Sequence, residues 1–205
     1  MRNIPFTVII IFILAGCSLF SADKKEPEDP FEAVFTAEIN GAPFDGSPFK
    51  EYAQVIMTTQ GEYSPQGEYS FLTIYASQFN EQLSPYHEKI SINLLYEEGR
   101  QKYKTRVDSV MYDEENYMTD GGSYYEKDGD VTISTYKAFE DEEGFVTVEM
   151  EEQDNGETVV SGTFEMRVIV DYRDDPYSQR ADQDTLYITN GEYRLLLDDR
   201  RDGQE

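Results

Sequence analysis

The sequence predicts an all-β domain, an antiparallel meander of about ten strands that closes as a barrel or folds as a sandwich. Three observations predict it. Apolar and polar side chains alternate along many short segments, glycine-containing turns separate these segments, and no stretch keeps the 3.6-residue apolar period of a helix. Because 16 tyrosines and 12 phenylalanines supply material for a core despite a net charge of −25, we expect one folded domain over residues 31–205.

The chain opens with the pattern of a secretory signal peptide, which we assign to residues 1–16. Arg2 supplies the positive end, the apolar run centres on residues 8–14, and two small side chains precede Cys17. The alternative is an uncleaved transmembrane helix, since residues 4–20 approach the minimum of about 17 residues for a bilayer span. The thin charged flank and the small residues before the cysteine favour the signal peptide.

Residues 14–17 read Leu-Ala-Gly-Cys and resemble the lipobox of bacterial lipoproteins at every position. The resemblance implies that a diacylglycerol is attached to the Cys17 thiol, that a peptidase cleaves after Gly16, and that a fatty acid such as palmitate acylates the new amine. Several acyl chains together hold a protein on a membrane that it does not span. The membrane is thus an expected partner, and Ser18 with the acidic stretch 26–29 favours the outer membrane, with a periplasmic or surface-exposed domain.

Cys17 is the only cysteine in the chain. Once it is lipidated, it leaves no disulfide, no thiolate nucleophile and no cysteine ligand for zinc. Residues 17–30 are polar, contain two prolines and show no apolar periodicity, so they are expected to form a tether that spans on the order of 20 Å. The domain beyond the tether is expected to depend on its hydrophobic core and on no cofactor.

The acidity of the chain excludes one class of partner. Arg2 is the only charged residue of the signal peptide, so cleavage changes the net charge from −25 to −26. A charge of this size repels nucleic acid and anionic lipid surfaces. Nucleic-acid binding is therefore excluded, whereas a protein or glycan partner stays open.

The predicted strands share a period-2 alternation and short connections. They are residues 31–39, 52–59, 69–77, 90–94, 102–107, 131–135, 146–150, 159–171, 186–188 and 193–197. Asn40-Gly41 and Asn190-Gly191 are expected to form tight hairpin turns. The segment 102–107 is expected to pair with 90–94 across the turn at 97–99.

The segment from Val159 to Asp171 shows the clearest alternation. Its even positions from Val160 to Val170 are apolar or glycine, with Phe164 at the centre, whereas the odd positions mix polar and apolar side chains. This pattern predicts a central strand with its even-numbered face buried.

Three segments together resemble a family of envelope lipoproteins of unknown function. They are AEINGAPF at 37–44, VSGTFEMRV at 160–168 and ITNGEYRL at 188–195. The sequence departs from the family pattern at Met166, where an aromatic residue is usual, and in the acidic stretch 140–157. The resemblance implies an all-β fold and an envelope location without an activity.

Few side chains point to a specific chemistry. His87 is the only histidine and falls in a loop-like segment, which excludes a two-histidine zinc motif and disfavours a Ser-His-Asp site. Asp128-Gly129-Asp130 is the best local calcium candidate, although its spacing differs from that of an EF-hand loop. The alternative is a solvated acidic surface that keeps the protein soluble.

Two functional hypotheses remain. The first is a non-catalytic envelope module that binds a ligand or partner or has a structural role. The second is a glycan-directed hydrolase or carbohydrate-binding protein, which would use paired carboxylates and tyrosines. An enclosed cleft that holds two close carboxylates, one with a raised pKa, would favour the second hypothesis, and a filled interior would favour the first.

Overall fold

The computed structural model describes residues 31–46, 53–60, 69–79, 86–106, 110–112, 117–119, 121–138, 143–171 and 184–201. The predicted signal peptide, residues 1–16, and the predicted tether, residues 17–30 with Cys17, lie outside these residues. Within them the fold is all-β, as the alternation predicts.

The described residues form fourteen strands, and all of them belong to one compact unit, Ala33–Glu205. They are β1 Val34–Ile39, β2 Ala42–Asp45, β3 Ala53–Gln60, β4 Tyr69–Phe79, β5 Tyr86–Tyr96, β6 Lys102–Lys104, β7 Val110–Tyr112, β8 Tyr117–Thr119, β9 Gly121–Asp128, β10 Val131–Lys137, β11 Phe145–Thr147, β12 Glu149–Glu152, β13 Thr158–Val170 and β14 Thr185–Asp199. Four of these strands, β2, β7, β8 and β9, have no counterpart among the predicted segments.

Twelve strands form one mixed sheet, and seven of them close into a ring in the order β3-β4-β5-β9-β10-β13-β14. The ring closes where residues 197–199 of β14 pair with residues 55–57 of β3. This contact is parallel, in contrast to the purely antiparallel arrangement that the sequence predicts. Strands β1 and β2 extend from β14, and β12, β11 and β6 extend from β13, which gives a sandwich-like or barrel-like architecture.

Buried hydrophobic side chains of the described residues form one core. Its largest fully buried side chains are aromatic: Phe35, Phe44, Tyr124, Tyr136, Phe164 and Tyr193. The even-numbered side chains of β13 from Val160 to Val170 lie in this core, apart from the half-buried Gly162. The predicted buried face of this strand is therefore confirmed.

The Asn40-Gly41 turn is confirmed as a hairpin. Asn40 and Gly41 have φ angles of 51° and 80°, the left-handed conformation that a type I′ turn requires at both central positions. The turn joins β1 to β2 and opposes Ile39 to Ala42. The Asn40 side chain also accepts a hydrogen bond of 2.8 Å from the backbone N–H of Tyr187, which fixes the turn against β14.

The predicted hairpin at Asn190-Gly191 is wrong, because β14 continues through it as one strand of 15 residues. Asn190 has a φ of 52°, and β14 carries one extra residue here relative to both of its neighbours, β1 and β13. The dipeptide forms a β-bulge. The Phe164 ring lies against Gly191, so closely that a Cβ at position 191 would be 2.6 Å from its Cδ2 atom.

The predicted pairing of 90–94 with 102–107 is also wrong. Strand β5 pairs with β4 on one edge and β9 on the other, and β6 pairs with β11. Since both edges of β5 carry long ladders, no edge is left for the short β6. A long-range pairing thus replaces the local hairpin.

Candidate functional site

The residues singled out by the sequence do not converge on one site. Cys17 lies outside the described residues. His87 lies in β5, not in a loop as predicted; it is half-buried, and its ring stacks on that of Phe79 with centroids 4.8 Å apart. This histidine therefore packs within the sheet.

The calcium candidate Asp128-Gly129-Asp130 forms the turn between β9 and β10. Gly129 has a φ of 62°, and both aspartates are exposed. Across the part of the chain that the structure describes, no group of three or more His, Cys, Asp or Glu side chains could hold a metal ion. The left-handed backbone conformation of this turn accounts for the glycine at position 129.

A surface groove of about 510 Å³ lies where the end of β5 meets the β11–β12 segment. The groove is lined by Tyr96, Gly99, Arg100, Gln101, Val148, Glu149 and Met150. Its apolar wall continues the core, since Val148 is buried and Tyr96 and Met150 pack against buried residues. The Tyr96 hydroxyl donates to the Met150 sulfur at 3.6 Å. An apolar floor and a polar rim suit the binding of an amphipathic group.

Arg100 is fixed at the rim of the groove by three contacts. Its Nη1 atom lies 3.0 Å from a carboxylate oxygen of Glu97, and its Nε donates to the Lys102 carbonyl at 3.1 Å. The guanidinium carbon lies 4.6 Å from the centroid of the Tyr103 ring. Because the side chain is still 43% exposed, it presents an ordered cation to a partner at little further entropic cost.

Two tyrosines near the groove have structural roles, because their hydroxyls donate to backbone carbonyls. The Tyr103 hydroxyl donates to the Glu97 carbonyl at 3.1 Å, and the Tyr193 hydroxyl donates to the Thr147 carbonyl at 2.7 Å. Burial raises the pKa of both phenols above their ordinary value. Neither tyrosine is suited to proton transfer at neutral pH, because neither ionises there.

A second polar cluster lies at the opposite end of β5. Cross-strand register places Gln78, Glu88, Glu126 and Ser134 in one row on the core-facing side of β4, β5, β9 and β10. The Tyr124 hydroxyl donates to Glu88 at 2.8 Å, and the Ser134 hydroxyl donates to Glu126. The Gln78 side chain accepts the Asp45 N–H at 2.6 Å.

The pKa of Glu88 is raised above its ordinary value. Burial is the main cause, the hydrogen bond from Tyr124 opposes it, and the neighbouring charge of Glu126 adds to it. A carboxyl with a raised pKa beside a second carboxylate is one part of the arrangement expected of a glycosidase. However, these carboxyl groups are hydrogen-bonded to side chains of the protein, and the tyrosine beside them is buried.

Neither the groove nor the row that contains Glu88 and Glu126 was predicted from the sequence. The only local signal for the row is that Glu88 shares the even-numbered face of the strand with Ile90, Ile92 and Leu94. This places a carboxyl at the edge of a buried face. The groove has no local signal, because its two walls are about fifty residues apart in the chain.

Comparison with protein-family models, with curated proteins and with solved structures found no match to this chain. The described residues contain no helix with the length and hydrophobicity needed to cross a bilayer. Function must therefore be argued from the residues and their geometry.

Proposed function

We propose that this chain is a cell-envelope lipoprotein, anchored to the outer membrane through lipid on Cys17, whose β domain binds a partner without catalysis. The binding surface is the groove between Tyr96 and Met150. The anchor rests on the lipobox pattern of residues 14–17. The non-catalytic character rests on the hydrophobic core and on the chemistry of the groove.

The hydrophobic core carries this proposal. Among the described residues, apolar core-facing side chains of the ring pack with side chains of β1 and β2 into one hydrophobic cluster that includes Phe35, Tyr124 and Phe164. A β domain that encloses a ligand needs interior space that side chains do not fill. The packed core therefore supports binding at the surface, where the groove offers an apolar floor that is continuous with the core.

The groove is equipped for recognition. Arg100 is held in place, and Gln101 and Glu149 add an amide and a carboxylate beside the side chains of Tyr96, Val148 and Met150. Glu149 has no second carboxylate among the groove-lining residues, so the acid–base pair of a typical glycosidase is missing from this surface. The mixed lining fits a protein or glycan segment with one apolar and one polar side.

Photocrosslinking in intact cells tests the groove. A photoreactive amino acid at Gln101, which is exposed at the rim, is expected to give a specific adduct. The matched control is the same amino acid at Val131, which is 56% exposed and does not line the groove. Met150→Glu should abolish the adduct at position 101, since it places a charge on the apolar floor. Similar adducts from both positions would contradict the groove assignment.

Metabolic labelling tests the anchor separately. The wild-type chain should incorporate a labelled fatty acid, and Cys17→Ser should not, because a hydroxyl at this position cannot form the thioether. Labelling of the Cys17→Ser protein would refute the anchor and leave the groove proposal untouched.

A glycan hydrolase is the second candidate, and the raised pKa of Glu88 beside Glu126 is the observation that favours it. The test is the release of reducing ends from purified peptidoglycan glycan strands. Release that is lost in both Glu88→Gln and Glu126→Gln would support hydrolysis. The absence of release by the wild-type protein would leave the non-catalytic function.

A further inference from the structure

The outer face of four neighbouring strands carries an unusual set of side chains. Alternation turns the odd-numbered residues of β4, β5 and β9 away from the core, and a bulge in β10 turns Thr132, Thr135 and Lys137 the same way. Twelve of these outer positions lie around Lys89 and Lys127: Tyr75, Ser77, Phe79, His87, Lys89, Ser91, Ser123, Tyr125, Lys127, Thr132, Thr135 and Lys137. They include three lysines and no carboxylate, in a chain with 42 acidic and 17 basic residues.

Among the described residues, Lys137 is the one lysine of the three that has a carboxylate partner. Lys137 and Asp171 form an ion pair of 2.9 Å, and the aspartate side chain is only 1% exposed. Lys89 and Lys127 have no carboxylate within ion-pair distance among the described residues. Within the described part of this strongly acidic chain, two ammonium groups without a carboxylate partner thus lie on adjacent strands.

Lys89 is held in position by an aromatic ring. Its Nζ atom lies 4.2 Å from the centroid of Tyr75, and the Tyr75 hydroxyl donates to Gln54 at 2.5 Å. The neighbouring carboxylate of Asp198 is already bound by Arg200, with Nε and Nη2 at 2.8 and 2.5 Å from one oxygen. This carboxylate therefore does not serve as the counter-ion of Lys89.

The positive charges of Lys89 and Lys127 destabilise one another in the absence of an anion. The pKa of Lys89 is lowered, first by burial and then by the charge of Lys127. Placing like charges on one face without a counter-ion is destabilising. A bound anion would relieve both effects, and buried serine hydroxyls lie close by: Ser91 and Ser123 are 7% and 6% exposed.

We propose that Lys89 and Lys127 bind the phosphate of a small soluble phosphate monoester on this outer face. A monoester carries close to two negative charges at neutral pH, which matches two ammonium groups. Lysine binds phosphate as a point charge, without the planar fork that suits arginine to carboxylates. A small ligand also fits the net charge of the chain, because a broad anionic surface such as a membrane would be repelled.

Isothermal titration calorimetry on the full chain in detergent micelles tests this assignment, with glycerol 3-phosphate as the monoester. The wild-type protein should bind it. Lys89→Gln and Lys127→Gln should each raise the apparent Kd by about tenfold or more, since each removes one charge-assisted contact. Two independent variants keep the test valid if one of them fails to fold.

Lys102→Gln is the matched control. The Lys102 Nζ atom also lies 4.2 Å from a ring centroid, that of Phe145, but on β6, which pairs with β11 and not with the strands of the proposed site. This variant should bind glycerol 3-phosphate like the wild type. Equal weakening by Lys102→Gln would reveal a non-specific charge effect and overturn the site.

A second ligand distinguishes the soluble monoester from a lipid headgroup. Glycerophosphoglycerol is a phosphodiester with a single negative charge, and it should bind at least about tenfold more weakly if dianion recognition is correct. Equal or tighter binding of the diester would overturn the monoester assignment. Undetectable binding of glycerol 3-phosphate by the wild-type protein would overturn the proposal as a whole.

Discussion

Phe164 is expected to be the most sensitive position of β13. Its side chain is fully buried, and its ring centroid lies 5.3 Å from that of Phe35 and 6.5 Å from that of Tyr193. The ring also covers Gly191. Truncation of a buried phenylalanine costs about 3–5 kcal/mol, and each lost aromatic pair adds to this, so we expect a loss of about 4–5 kcal/mol for Phe164→Ala. This is a large share of the roughly 5–15 kcal/mol that stabilises a domain.

Urea denaturation measures this loss. With a slope of about 2 kcal/mol per molar urea, Phe164→Ala should lower the midpoint by about 2 M. Phe164→Leu keeps an apolar side chain and should lose only about 1–2 kcal/mol, so it gives a measurable result if the alanine variant does not fold.

Thr163→Ala provides the control on the opposite face of the strand. Thr163 is exposed, and its hydroxyl lies 3.2 Å from that of Thr147. The backbone N–H of Thr163 still donates to the Thr147 hydroxyl in the variant, so the expected loss is below about 1 kcal/mol. Equal, small midpoint changes for Phe164→Ala and Thr163→Ala would refute the assignment of Phe164 to the core.

Three further predictions concern the buried polar groups and the bulge. Ionisation of Glu88 is disfavoured in the folded state. The free energy of unfolding should therefore fall as pH rises from 4.5, the ordinary pKa of this carboxyl, through its raised pKa in the folded protein. Compared with the wild type, Glu88→Gln should have a higher urea midpoint at neutral pH, and its midpoint should vary less over this pH range. Gly191→Ala should cost about 1–3 kcal/mol, measured as a lower melting temperature, because its Cβ would lie 2.6 Å from the Phe164 carbonyl oxygen. Asp171→Ala should cost about 3–5 kcal/mol in the same measurement, since it removes the carboxylate that pairs with the buried Lys137 ammonium group. An unchanged melting temperature would show that the ion pair contributes nothing.

Features that depend only on neighbouring residues could be predicted from the amino-acid sequence. Alternation along β13 identified its buried face, because side chains in a strand point to opposite sides in turn. The two left-handed residues Asn40 and Gly41 identified a hairpin, because an Asn-Gly pair adopts this conformation readily. The aromatic content indicated that so acidic a chain could still form a core.

The tertiary structure alone decided how the strands pair, and with that where the candidate sites lie. Asn190-Gly191 carries the same local signal as Asn40-Gly41, but β14 is paired with β13 and β1 across the dipeptide, so the chain bulges and does not reverse. Glu88 meets Glu126, and Lys89 lies beside Lys127, only because β5 pairs with β9. Pairing between distant segments depends on the whole set of contacts that each strand edge can make, and no local pattern encodes that set.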